Sequence, residues 1–189
     1  MIGIIDYDSG NTRSVQNALE RMDVAYLLSD NIEALNKCEK IIFPGVGSAQ
    51  AAMESLKEKK LVEWIQECKK PFLGICLGMQ ILFEFSAEGE TEGLGIMPGR
   101  VQKFKPGKKV PHMGWNRISS DIFPEFNDDY FYFVHSYFVP VNVFTTARCQ
   151  YANKTFSAMV RKNNFWGLQC HPEKSGDRGQ ALLSEFINA

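Results

Sequence analysis

Three short stretches of this chain carry residues whose types and spacing could do chemistry. Cys76 stands in Gly74-Ile75-Cys76-Leu77-Gly78, the thiol form of G-x-S-x-G, in which a sharp strand-to-helix turn presents a nucleophile. Such a turn crowds the backbone, so the flanking positions favour residues without a Cβ. It also sets the sulfur at a helix N-terminus, where the dipole favours thiolate. The bland alternative is a small buried hydrophobe, which most free cysteines are. His171-Pro172-Glu173 follows an apolar run over residues 165–170. Pro172 stiffens the turn and keeps His171 out of helical geometry, and an extended backbone would turn His171 and Glu173 to one side. The carboxylate could then orient the imidazole toward a nucleophile; in isolation the same residues read as an ordinary turn with a solvated glutamate. Pro44-Gly45-Val46-Gly47-Ser48 precedes a helical pattern and offers free backbone N–H groups to an anion. That makes Val46 N–H a candidate oxyanion donor. A phosphate or dinucleotide loop is the other reading, but G-x-G without a third glycine is a weak signal.

The elements around these stretches explain how they could meet. Residues 2–6, IGIID, form an apolar run of the kind found in central parallel strands. A helix is expected over residues 12–22, with Val15, Ala18, Leu19 and Met22 on one face and Asn11 or Thr12 as cap. Further strands are expected over residues 24–28, 40–43 and 72–75, with helical segments between them at about 49–57 and 61–68. This βαβ rhythm predicts a doubly wound α/β sheet. The Cys76 turn is expected to open a helix over residues 77–84. Ligands of open α/β sheets gather at the carboxyl ends of strands, which is where both Cys76 and the Gly45-Val46-Gly47 loop fall.

Downstream the pattern turns to shorter, β-like segments. Residues 111–116, PHMGWN, group an imidazole, a thioether and an indole around a glycine, and are expected in a loop. Two readings stand level: a loop anchored by Trp115, or a partner-facing surface, since Met and aromatic residues are enriched in interface cores. Residues 130–140, YFYFVHSYFVP, alternate as a strand and contain His135-Ser136-Tyr137. A lone histidine on a β ribbon is usually structural. Antiparallel strands are expected over residues 143–150, 155–161 and 165–170, and a closing helix over 177–188.

Composition bounds the rest. At 189 residues the chain is expected to form a single domain, 1–189, without internal repeats. A net charge of -1 argues against nucleic-acid binding through phosphate contacts. No apolar run is long enough to cross a bilayer, and the N-terminus enters a strand directly without a secretory pattern. The five cysteines are odd in number and lack CxxC spacing, which fits reduced thiols in the cytoplasm and no structural metal site.

Taken together, GICLGMQ, PGVG and HPE resemble the triad class of glutamine amidotransferases. PHMGWN, FVHSY and ETEGLG narrow the resemblance to the glutaminase subunits of imidazole glycerol phosphate synthase, over the whole chain. The segment Tyr7-Asp8-Ser9-Gly10 departs from the glycine-richer family form, and Cys170 stands where phenylalanine is usual. The resemblance implies a flavodoxin-like α/β three-layer sandwich, its central sheet mostly parallel with added antiparallel strands. It implies a Cys76, His171, Glu173 triad that hydrolyses L-glutamine to L-glutamate and ammonia. The oxyanion would be held by Leu77 and the loop of Gly45, Val46 and Gly47, and glutamine by Gln80, His135, Ser136 and Tyr137. No metal or organic cofactor is required. Ammonia would pass to a separate (β/α)8-barrel cyclase in a heterodimer, with His112, Met113, Trp115 and Asn116 facing it, although His112 could be internal. The alternative customer is a sugar amidotransferase of surface-polysaccharide synthesis, supplied by a paralogous glutaminase. Val46 N–H is expected to point away from the site at rest, since an unregulated glutaminase would waste glutamine.

Overall fold

Alternation along the central strands divides the apolar residues between two faces of one sheet. In β1 (Ile2–Ile5) and β3 (Lys40–Phe43), Ile4 and Ile42 face one core while Ile5, Ile41 and Phe43 face another. Each face is covered by helices that must bury an apolar stripe. Helix α1 (Thr12–Arg21) contributes Val15, Ala18 and Leu19 to the first core, and α6 (Gly176–Asn188) contributes Leu182, Leu183 and Phe186. The second core takes Leu35 of α2 (Ile32–Leu35), Ala52, Met53 and Leu56 of α3 (Ala49–Glu58), and Leu61 and Ile65 of α4 (Leu61–Glu67). The result is a three-layer α/β sandwich. The computed structural model describes residues 1–8, 12–105 and 109–189; Asn11 as cap and the Ser9-Gly10 departure lie outside them.

The remaining strands are β2 (Tyr26–Ser29), β4 (Phe72–Ile75), β5 (Phe83–Ser86), β6 (Thr91–Glu92), β7 (Met97–Lys103), β8 (His112–Ser119), β9 (Tyr130–His135), β10 (Tyr137–Phe138), β11 (Thr145–Tyr151), β12 (Lys154–Lys162) and β13 (Phe165–Leu168). The main sheet runs β2-β1-β3-β4-β13-β12-β11-β8-β9. Its first five strands pair in parallel and the rest antiparallel. A smaller sheet, β10-β7-β5-β6, packs beside it.

Three expected elements differ from the structure, the first being the strand over 130–140, which breaks at Ser136 into β9 and β10 of different sheets. The helix after Cys76, α5, covers only Leu77–Gln80, and the chain is extended again by Phe83. Phe83 and Phe85 of FEFS pair with β7, so tertiary pairing overrides a segment that reads as helix locally. PHMGWN is strand rather than loop: β8 pairs with β9 from His112↔His135 to Arg117↔Tyr130. Gly114, at φ 132, accommodates there a backbone conformation that other residues resist.

Candidate active site

Cys76, the candidate nucleophile, is placed by a strained turn between β4 and α5. Cys76 has φ 50 and ψ -102, sparsely populated for a residue with a side chain. Its N–H remains tied to Leu168 O of the neighbouring β13, at 2.6 Å. The flanking glycines are needed because the chain folds back on itself. A Cβ on Gly74 would lie 2.4 Å from Gly78 O, and one on Gly78 would lie 2.5 Å from Phe43 O. Gly45 is closer still, since a Cβ there would meet Ile75 O at 1.7 Å. The Gly45-Val46-Gly47 loop is therefore pressed onto the elbow itself.

The candidate base, His171, arrives on the adjacent strand. β13 pairs in parallel with β4, Leu168 opposite Ile75, so His171 and Cys76 leave the same end of the sheet. His171 is extended (φ -101, ψ 90), and Pro172–Lys174 form a 3-10 turn that brings Glu173 back beneath it. This differs from the extended backbone expected between the two residues, but it reaches the same end. His171 Nδ1–H donates to Glu173 Oε1 at 2.8 Å, leaving the other ring nitrogen for the sulfur. The backbone around the base is anchored as well: His171 N–H donates to Tyr132 O (2.8 Å), and Ser175 Oγ–H donates to His171 O (2.7 Å). Burial pulls the imidazole down, but hydrogen bonds and charge from Cys76 and Glu173 outweigh it and raise it to about 10.

A cavity of about 360 Å³ opens on this pair. Gly45, Val46, Gly47, Cys76, Leu77, Gln80, His135, Ser136, Tyr137 and His171 all line it, so residues from four separated stretches meet at one place. Glu173 stands behind His171. Val46 N–H donates to Tyr7 Oη at 3.1 Å, and the Tyr7 hydroxyl donates to Val46 O at 2.8 Å. Glu88, Pro111 and Val134 also line the cavity, a role the sequence does not assign to any of them. Glu88 is one of four glutamates between residues 84 and 92, and no local pattern sets it apart. Its Oε2 accepts the Ala49 N–H at the start of α3 (2.8 Å), which holds the carboxylate at the cavity wall.

The expected partner-facing residues separate by strand parity. Met113 and Trp115 point outward, 55% and 56% exposed, beside Tyr130 on the edge strand. His112 points inward at 3% exposed, stacked on Tyr151, and so cannot itself meet a partner. His112 and His135 form a chain whose direction is fixed by a backbone acceptor. His135 Nδ1–H must donate to Tyr137 O (2.7 Å), so its Nε2 accepts from His112 Nδ1–H (3.0 Å). His112 Nε2 then accepts from Asn116 Nδ2, whose amide also donates to Gln150 O. Burial lowers His112 to about 4 and His135 to about 3.

The family model for class-I glutamine amidotransferases matches residues 3–189, and the chain belongs to that family. Within it, the imidazole glycerol phosphate synthase subunit HisH of Bacteroides fragilis (strain YCH46) is 47% identical, covering 98% of each chain. The subunit of the same name from Idiomarina loihiensis is 41% identical over 97% of this chain and 95% of its own. A solved glutamine amidotransferase crystal structure superposes with a TM-score of 0.80, covering 99% of this chain and 97% of its own; at 17% identity it bears on the fold alone.

Proposed function

We propose that this chain is the glutaminase subunit of an imidazole glycerol phosphate synthase, releasing ammonia from L-glutamine for a separate cyclase subunit. The observation that carries this reading is Cys76 and His171 on the wall of a cavity sized for an amino acid, with Glu173 hydrogen-bonded behind His171. In the reaction, His171 holds the proton given up by Cys76, and the sulfur attacks the side-chain carboxamide carbon. The tetrahedral oxyanion is met by the N–H of Leu77, the residue after the nucleophile, and by the Val46 N–H once it leaves Tyr7. Each such donor is worth roughly 3–4 kcal/mol in acyl transfer. Collapse breaks the C–N bond, His171 protonates the leaving nitrogen, and ammonia departs. Water then attacks the thioester, giving up a proton to His171, and glutamate leaves as the sulfur is restored. Glu88 is positioned to receive the α-ammonium of glutamine, with Gln80, His135, Ser136 and Tyr137 completing the wall.

The outward face of β8 and β9 supports a docking site for the cyclase, a (β/α)8 barrel. Met113 and Trp115 pair across the strands with Val134 and Tyr132, and Val134 lines the cavity, so a partner seated there covers the cavity mouth. The relatives' shared name favours this customer over a sugar amidotransferase. Among the described residues no helix is long and apolar enough to cross a membrane, which fits an assembly working in the cytoplasm. The test is glutamate release by the purified chain, alone and with the barrel subunit and its nucleotide substrate. Stimulated activity that survives Cys76→Ala would overturn the mechanism. Comparable turnover by the lone chain and the complex would count against a resting Val46 N–H that is held by Tyr7.

A further inference from the structure

The Cys76 sulfur is met by a side chain that the mechanism above does not use. Gln169 is fully buried, and its main-chain N–H is tied to Ala158 O at 2.9 Å. Its Nε2 lies 3.6 Å from Cys76 Sγ. The direction of this carboxamide is settled by a backbone group. Tyr137 O can only accept and lies 2.9 Å from Gln80 Nε2, so the nitrogen end of Gln80 faces it. The same nitrogen lies 3.0 Å from Gln169 Oε1, which accepts. The Gln169 nitrogen is thereby left to face the sulfur. Turning the Gln169 carboxamide over would set nitrogen against nitrogen and oxygen against sulfur, and would forfeit both bonds in a buried site.

A second neighbour sorts the two states of the sulfur. Val134 O lies 3.8 Å from Sγ and can accept from a thiol but only repel a thiolate. The Gln169 N–H is matched instead to a negative sulfur, as a charge-assisted donor. We propose that Gln169 is a positioning residue for the glutaminase reaction: it holds the Cys76 thiolate in place for attack and is itself held by Gln80. This rests on the reading of Cys76 as the nucleophile. Gln169 exchanges no proton and touches no substrate, so its effect lies in the step from thiolate to tetrahedral adduct rather than in glutamine binding.

The test uses the full chain with its partner subunit and nucleotide. Two readouts are followed: steady-state glutaminase activity, and labelling of Cys76 by a diazo-ketone analogue of glutamine. Gln169→Leu is expected to lower kcat about tenfold, with KM for glutamine held within about twofold and labelling slowed by a similar factor. Gln169→Glu keeps the shape but sets a carboxylate against the sulfur. Its activity relative to the wild type should be lowest near pH 8 and recover toward pH 6, as the carboxyl takes up a proton and can donate again. A residue needed only for packing gives no such recovery. The proposal is overturned by wild-type kcat in Gln169→Leu, by a raised KM at unchanged kcat, or by a flat pH ratio in Gln169→Glu, which decides alone if the leucine variant fails to fold. Cys76→Ala run alongside separates the two claims. Activity surviving there removes the nucleophile and this role with it, whereas a dead Cys76→Ala beside an unimpaired Gln169→Leu removes only the role of Gln169.

Discussion

The three histidines of this chain are all buried, yet their environments drive them to opposite protonation states. His171 sits between the Cys76 sulfur and the Glu173 carboxylate and is raised to about 10. His112 and His135 sit against each other, an amide and a backbone carbonyl, and fall to about 4 and about 3. Burial alone disfavours the charged ring in every case. The difference is supplied by an anionic partner, present at one ring and absent from the contacts of the other two. Among the histidines, charge is thus confined to the end of β13, while the β8–β9 pair supplies a neutral, directional scaffold next to it.

Substitution at each histidine is the sharpest way to break this contrast. His171→Asn should lower glutaminase kcat by about 10³-fold or more, within the range general acid–base groups contribute. Glu173→Gln should cost roughly a hundredfold, because the imidazole loses the carboxylate that stabilises its charged form. His135→Gln should invert the pattern, lowering the melting temperature by several degrees with a smaller effect on kcat. Steady-state assays and thermal melts on the same preparations check all three. A His135→Gln enzyme as inactive as His171→Asn at wild-type stability would end the distinction between site and scaffold.

The outer face of the scaffold gives the next largest effect. Trp115 is 56% exposed and packs edge-on against Tyr132, a ring-centroid distance of 6.2 Å. Trp115→Ala should weaken binding of the proposed cyclase subunit by roughly 30-fold, as expected for an aromatic anchor worth about 2 kcal/mol. The lone chain should keep its labelling rate at Cys76. Titration calorimetry with the partner would check the first expectation; unchanged affinity would move the interface elsewhere.

Much of this was legible in the sequence where one element sets the answer. The strands Lys40–Phe43 and Phe72–Ile75 are built on short apolar runs, and their bounds match those expected. The glycines around Cys76 announced a turn, and the backbone contacts at Gly74 and Gly78 give the reason. What stayed hidden depends on partners distant in the chain. FEFS becomes strand because β7 lies beside it. PHMGWN becomes strand because β9 does, and only strand parity then shows that His112 turns inward while Trp115 turns outward. Gln169 reads as one more residue of a buried strand end, and its aim at the sulfur emerges only through Gln80 and Tyr137 O.

The neutral histidine pair also predicts how stability should vary with pH. A histidine in the unfolded chain titrates near 6.5, whereas His112 in the folded chain resists protonation down to about 4. Between those values the unfolded chain binds a proton that the folded chain refuses, so stability falls as pH falls. The limiting slope is about 1.4 kcal/mol per pH unit for each such histidine. His171 acts in the other direction, its contribution being complete below about 6.5 and lost as pH rises through about 10. Urea unfolding at pH 6.5, 5.8 and 5.0 isolates the His112 effect when wild type and His112→Gln are compared, since carboxylate titrations common to both cancel. The variant should be less stable at pH 6.5 yet lose stability less steeply, by up to about 1 kcal/mol per pH unit. Parallel slopes would mean that His112 protonates in the folded chain as readily as in the unfolded one, and the neutral scaffold would lose its basis.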